Sequence, residues 1–292
     1  MVDEVKISSK SADGKRLVAC FLPQKGMNFI SYKKEELEVI DQSTKPLFEE
    51  RYAGLGAMIG PHFHHRNPKV IPPVKNEALF PHIAKVKAQG VIEPFSHGIG
   101  RYVPWHVEKV SENEIVAALS GEQEWNGVKL KELEGQNFKM GYSAKMTPEG
   151  LEINLFVMSD TESVVGLHTY YALDQGKGNI QCRVQDHYVD KSEFKPIPST
   201  WNYSKDHTLF YPLDHETDFG FHPFPDPVKG SILLESASHH VRVNYSCDNQ
   251  ENSFQIWHRQ EGSFVCIEPL SAKDPRKPKL TSSKLKVLIS IL

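Results

Sequence analysis

The feature that most constrains the fold lies near the middle of the chain. Phe138, Met140, Tyr142, Ala144 and Met146 alternate with polar or small residues, and after Thr147-Pro148-Glu149-Gly150 the alternation resumes at Leu151, Ile153, Leu155 and Val157. Successive side chains of a strand point to opposite faces, so a sustained period of two specifies strands with one buried face. A Pro- and Gly-containing tetrapeptide between two such runs predicts a β-hairpin.

Shorter runs of the same kind predict strands at Leu17–Phe21, Glu36–Ile40, Tyr102–Val110, Ile115–Ala118 and Val164–Leu173. Further runs follow at Ser231–Glu235, His240–Tyr245, Phe254–Trp257, Phe264–Ile267 and Leu285–Ile291. Gly, Pro, Asn and Asp punctuate them. Helical spacing is confined to Glu77–Ala88, where Pro81 interrupts it. Many short strands and few helices predict an all-β sandwich or barrel. The stretch Lys191–Pro227 reads as loop, and the basic, Pro-rich Lys273–Lys279 reads as a solvated connector before the last strand.

With 292 residues and no linker or internal repeat, residues 1–292 are expected to form a single domain. The hydrophobic content of 39% suffices for a large core, and the net charge of −3 argues against a general nucleic-acid binder. No early stretch has the pattern of a signal peptide, and no apolar run reaches the roughly 18 residues of a membrane span. Cys20, Cys182, Cys247 and Cys266 are scattered, with no CxxC pair, which suits buried, reduced thiols. A cytoplasmic protein with no membrane partner is expected. On that expectation the glycosylation-type triplets at Asn202 and Asn244 are chance matches.

Three residues stand out as candidates for chemistry. His97 lies in Pro94-Phe95-Ser96-His97-Gly98-Ile99-Gly100-Arg101, shortly before Trp105. Glycine there would let backbone approach a ligand, aromatic faces suit the apolar side of a sugar, and arginine suits its oxygens. His168 lies in the apolar run Gly166-Leu167-His168-Thr169-Tyr170-Tyr171. Glu268 closes Phe264-Val265-Cys266-Ile267 ahead of Pro269, where desolvation would raise its pKa toward the range of a general base. Each residue taken alone reads first as structural: a turn histidine, a core histidine and a strand-end glutamate.

Together and in this order, His-Gly-x-x-Arg with Pro-Trp after it, Gly-Leu-His-x-Tyr and Ile-Glu-Pro resemble the aldose 1-epimerase (galactose mutarotase-like) family. The likeness is greatest to its glucose-6-phosphate 1-epimerase-like branch. Tyr52-Ala53-Gly54-Leu55-Gly56-Ala57 with Gly60, Arg66, Asp218-Phe219-Gly220-Phe221 and Phe254-Gln255-Ile256-Trp257 extend it from about Gly54 to Pro269. The resemblance implies a large antiparallel β-sandwich (the galactose mutarotase-like supersandwich) with the sugar in a cleft on one face. It implies interconversion of the α and β anomers of an aldose or hexose 6-phosphate by acid/base ring opening, without a cofactor or metal. It further implies Glu268 as base, His168 as acid, His97 as a sugar ligand near C1 or the ring oxygen, and Asp218, Arg66 and Arg101 as ligands of hydroxyls or a phosphate. A monomer or weak dimer, with a sugar or sugar phosphate as partner, is expected. The chain departs from the family pattern at Ile99, Thr169 and Leu270, so altered pocket walls are expected.

Two other readings stand beside this one. A sugar-binding protein of the same fold without turnover would follow from altered walls. A cupin-like metal-binding barrel would follow if His62 and His64 shared one strand face.

Overall fold

The computed structural model describes residues 4–292. It is 48% strand and 11% helix, and its strands form two antiparallel layers. In one layer the order is Val5–Lys10, Arg16–Leu22, Asn28–Lys34, Gly56–Ile59, Gly166–Ala172, Phe264–Leu270, Ser253–His258 and Thr217–Pro223. In the other it is His106–Val110, Glu114–Ser120, Phe138–Thr147, Gly150–Ser159, Ser282–Ile291, His240–Cys247 and Lys229–Glu235. The long strand Asn179–Asp190 belongs to both: its first half pairs with Lys229–Glu235 and its second with Thr217–Pro223.

The central hairpin forms as its alternation predicts. Phe138–Thr147 pairs with Gly150–Ser159 in continuous register, from Thr147 opposite Gly150 to Phe138 opposite Ser159. Its apolar positions are buried and enter one core with residues of the opposite layer. Phe21 meets Tyr142 edge to face at 6.1 Å, and the Tyr32 hydroxyl donates to the Ile289 carbonyl at 3.2 Å, both across the layers. The architecture is therefore the all-β sandwich expected.

Four local expectations are corrected. Lys191–Pro227 is not one loop, since it contains the strands Glu193–Pro196, Asn202–Tyr203, Thr208–Pro212 and Thr217–Pro223. Their outward faces carry Asp, His and Pro, which hid the buried Leu209, Tyr211 and Phe221. Tyr102–Val110 is strand only from His106; a 3₁₀ turn occupies Ile99–Arg101 and Pro104 lacks a donor. Glu36–Ile40 reduces to Leu37–Glu38, because the Glu38 carboxylate takes the amides of Tyr32 and Ile40. Pro81 begins the helix Pro81–Ala88 instead of interrupting one, at a position where the missing N–H has no intrahelical partner to lose. Among the described residues no helix is long and apolar enough to cross a membrane.

Candidate active site

Strand register brings the candidates together. Gly166 faces Leu270 and Thr169 faces Ile267, which sets His168 directly opposite Glu268. The next strand sets Gln255 beside Glu268 and Trp257 beside Cys266. The strand after it sets Asp218 beside Trp257 and Gly220 beside Gln255. Directly paired residues share a face, so two adjacent rows line one side of the sheet. One runs His168, Glu268, Gln255, Gly220; the other runs Tyr170, Cys266, Trp257, Asp218. The opposite side carries Leu167, Val265 and Ile267 into the main core. Glu268 does not end its strand as expected but lies inside Phe264–Leu270, every residue of which is buried. Gly220 leaves room for its neighbour, since a Cβ there would lie 2.4 Å from the Gln255 amide nitrogen.

Apart from Gly220 and Cys266, these rows floor a cavity of about 320 Å³, which His97, His168, Glu268, Arg101 and Asp218 all line. His168 Nε2 lies 3.2 Å from Glu268 Oε1, and the two residues are only 7% and 3% exposed. Burial raises the Glu268 pKa to about 8, with the nearby Asp218 charge adding to the rise and Arg101 opposing it. Burial and the Arg101 charge hold His168 well below the usual histidine range. Burial also raises the Asp218 carboxyl, against the pull of Arg276. Tyr170 stacks on the His168 ring at 4.9 Å, and Trp257 stands edge-on to Tyr170 at 6.0 Å. The cavity thus joins a buried histidine–carboxylate pair, aromatic side chains and cationic side chains.

His97 reaches the cavity on a clamped backbone. Its amide donates to the His64 carbonyl at 2.9 Å and its carbonyl accepts from Gly60 at 2.8 Å. The left-handed φ of 66° at His97 and 90° at Gly98 turns the chain there. A Cβ on Gly98 would lie 2.1 Å from the Gly60 carbonyl oxygen, so the glycine serves close approach to the protein's own backbone, not to a ligand as expected. The His97 ring stands edge-on to His168 at 5.2 Å and to Phe63 at 5.0 Å. Arg101 donates from Nε to the Met58 carbonyl at 3.1 Å, and one of its terminal nitrogens is buried without a partner.

Arg66 does not reach the cavity. Its Nε and Nη2 grip the two Glu93 oxygens at 2.9 Å each, and Nη1 donates to the Glu134 carbonyl. His62 Nδ1 lies 2.5 Å from Glu134 Oε1, and the other Glu134 oxygen accepts the Ile99 amide at 3.0 Å. This network braces the segment carrying His62–Arg66 against the one carrying Glu93–Arg101. It also corrects the HxH reading: His62 turns to Glu134 while His64 stacks on His65 at 4.2 Å, so the two rings share no strand face.

The expected alteration of the pocket walls is not found. Ile99, Thr169 and Leu270 all lie outside the cavity lining. Ile99 joins the main core and Leu270 a small cluster with Ile59 and Val164. Thr169 alternates with His168 and faces away from it. Sequence reading singled out none of Arg51, His65 and Arg276, gave Tyr170, Gln255 and Trp257 no role and took His64 only as a metal ligand, yet all seven line the cavity. Gln255 and Trp257 carried a signal in their alternation around a strand adjacent to Glu268. Arg276 carried none: it sits in the supposed connector and projects over the Phe63 ring at 5.7 Å. A larger concavity of about 760 Å³ lies over the other layer, between Ala118, Gly141, Asn154 and Phe156, and contains none of the candidates.

No family model matches the sequence, and no curated protein matches it significantly. Solved structures do match it. The aldose epimerase homologue of C. elegans is 11% identical over 98% of both chains, with a TM-score of 0.67. A galactose mutarotase-like protein from Lactobacillus casei is 13% identical over 98% of this chain and 100% of that one, with a TM-score of 0.66. A galactose mutarotase-like protein from Clostridium acetobutylicum is 13% identical over 99% of both, with a TM-score of 0.63. The chain therefore has the galactose mutarotase-like fold.

Proposed function

We propose that this protein is an aldose 1-epimerase that interconverts the α and β anomers of an aldose or hexose 6-phosphate. The observation that carries the reading is the His168–Glu268 pair, 3.2 Å apart at the floor of a sugar-sized cavity. Glu268 takes the proton of the C1 hydroxyl while His168 donates one to the ring oxygen. The C1–O5 bond breaks, C1 becomes an aldehyde, the C1–C2 bond rotates, and the ring closes on the other face with the protons returned. A carboxyl held near pKa 8 is a stronger base, once ionised, than an ordinary glutamate. A neutral imidazole N–H can still donate to the ring oxygen.

His97 and Asp218 hold sugar hydroxyls in this reading, and Tyr170 and Trp257 offer their faces to its apolar side. Arg101, with Arg51 and Arg276, supplies cationic ligands for hydroxyls or a phosphate. Arg66 enters as a brace for the wall, because Glu93 already occupies its fork. The same cavity would serve a sugar-binding protein without turnover.

Saturation-transfer NMR on glucose, galactose and their 6-phosphates separates the two. Exchange well above the buffer rate is expected for at least one sugar. Glu268→Gln is expected to lower it by roughly 10²–10⁴-fold with the fold intact. Buffer-rate exchange for every sugar sinks the enzyme reading, and full activity in Glu268→Gln rejects the assigned base.

A further inference from the structure

Beside the acid/base pair lies a group that the proposed reaction does not use. Cys266 alternates with Glu268 on the same strand, so both side chains leave the sheet on one face. It is fully buried among Tyr170, Phe264 and Trp257 and carries no disulfide. One donor atom each from His168, Cys266 and Glu268 lie within 4.8 Å of one another. We propose that this triangle is a binding site for a soft divalent cation of the Zn²⁺ class, and that the bound ion silences the acid/base pair.

The donor chemistry fits. Zn²⁺ takes thiolate, imidazole and carboxylate ligands at about 2.0–2.3 Å, and three protein ligands with one open position is a common arrangement. Two donors that each bond one ion at about 2.0 Å with a tetrahedral angle stand about 3.3 Å apart. His168 Nε2 and Glu268 Oε1 are already 3.2 Å apart. His168 Nδ1 is buried without a hydrogen-bond partner, so the ring's polar contact is the one Nε2 makes with Glu268. A dication facing a thiolate and a carboxylate sums to zero charge, which offsets the cost of burying the two anions and leaves Arg101 and Arg276 as opposing charges nearby. Once the ion is bound, His168 Nε2 and Glu268 Oε1 are coordinated, and neither of these facing atoms can move a proton. Binding does not depend on the epimerase reading; only its consequence for turnover rests on it.

The test uses chelator-treated full-length protein, with Co²⁺ as the spectroscopic probe and Zn²⁺ as the inhibitor. The expected result is one Co²⁺ per chain with a thiolate-to-metal charge-transfer band. That band should vanish in both Cys266→Ser and Cys266→Ala, whose folding is checked by circular dichroism. Zn²⁺ should suppress anomer exchange and a chelator should restore it. The Cys266 variants should keep metal-free exchange, with Zn²⁺ suppression weakened by more than about 10-fold, since loss of even an outer-sphere partner costs that much. Absence of a thiolate band, or Zn²⁺ affinity unchanged without Cys266, overturns the site. Exchange undiminished at full Zn²⁺ occupancy overturns the silencing. A protein that binds Co²⁺ through Cys266 yet exchanges no sugar keeps the site and rejects the epimerase reading alone.

Discussion

At the scale of single residues, Glu268 has the sharpest consequences. Its pKa is raised to about 8, so it holds its proton more tightly in the folded chain than in the unfolded one. The stability this contributes is complete below the ordinary glutamate range and declines as pH rises toward 8. In Glu268→Gln that decline should disappear, which thermal unfolding followed between pH 5 and about 9 will show. In the proposed reaction the base form is the ionised one, so kcat/KM in metal-free protein should rise with pH on a limb centred near 8. Asp218 is the second cause of the raised value. Asp218→Asn should therefore move the limb to lower pH while raising KM through a lost sugar contact. A limb that stays in place rejects the coupling. His97, His168 and Glu268, each structural when read alone, were marked in the sequence by their order among the family-like motifs, and the fold brings all three to one cavity. Arg276 was not, because an arginine in a polar connector has no local mark of the cavity it enters.

At the scale of elements, the informative case is the brace around Arg66. Sequence likeness made Arg66 a sugar ligand, yet its fork is closed on Glu93, a carboxylate with no exposed side-chain surface. Charge pairing of this kind is set by which segments fold side by side, and no spacing rule links residues in two separate loops. Arg66→Ala leaves the Glu93 carboxylate buried without its guanidinium partner and should destabilise the protein by about 3–5 kcal/mol in chemical denaturation. Arg66→Met with Glu93→Leu removes both charges and should recover most of that loss. A sugar-binding role would instead show as a raised KM with unchanged stability in Arg66→Ala. The strands followed their alternation closely where one face was apolar, as in Phe138–Thr147 and Gly150–Ser159. They were missed where the outer face carried polar groups and prolines, as in Thr208–Pro212 and Thr217–Pro223.

At the scale of the whole molecule, the strand Asn179–Asp190 runs from one layer into the other, and one continuous core fills the space between them. That continuity supports the proposal that residues 1–292 form one domain. Unfolding should then be a single cooperative transition, with calorimetric and van't Hoff enthalpies in agreement; two resolved transitions would divide the chain. The sequence by itself determined an all-β sandwich or barrel of alternating strands, because burial on one face imposes a period of two on every strand that has it. It also marked the histidines and the glutamate on which a proton-transfer reading rests. Only the tertiary structure decided which strands are neighbours. That pairing set His168 opposite Glu268, placed Cys266 beside them, and left Arg66 bound to Glu93 while Arg276 took a place at the cavity. Local periodicity says which way a side chain faces, but the partner it meets across the sheet is chosen by register between segments far apart in the chain.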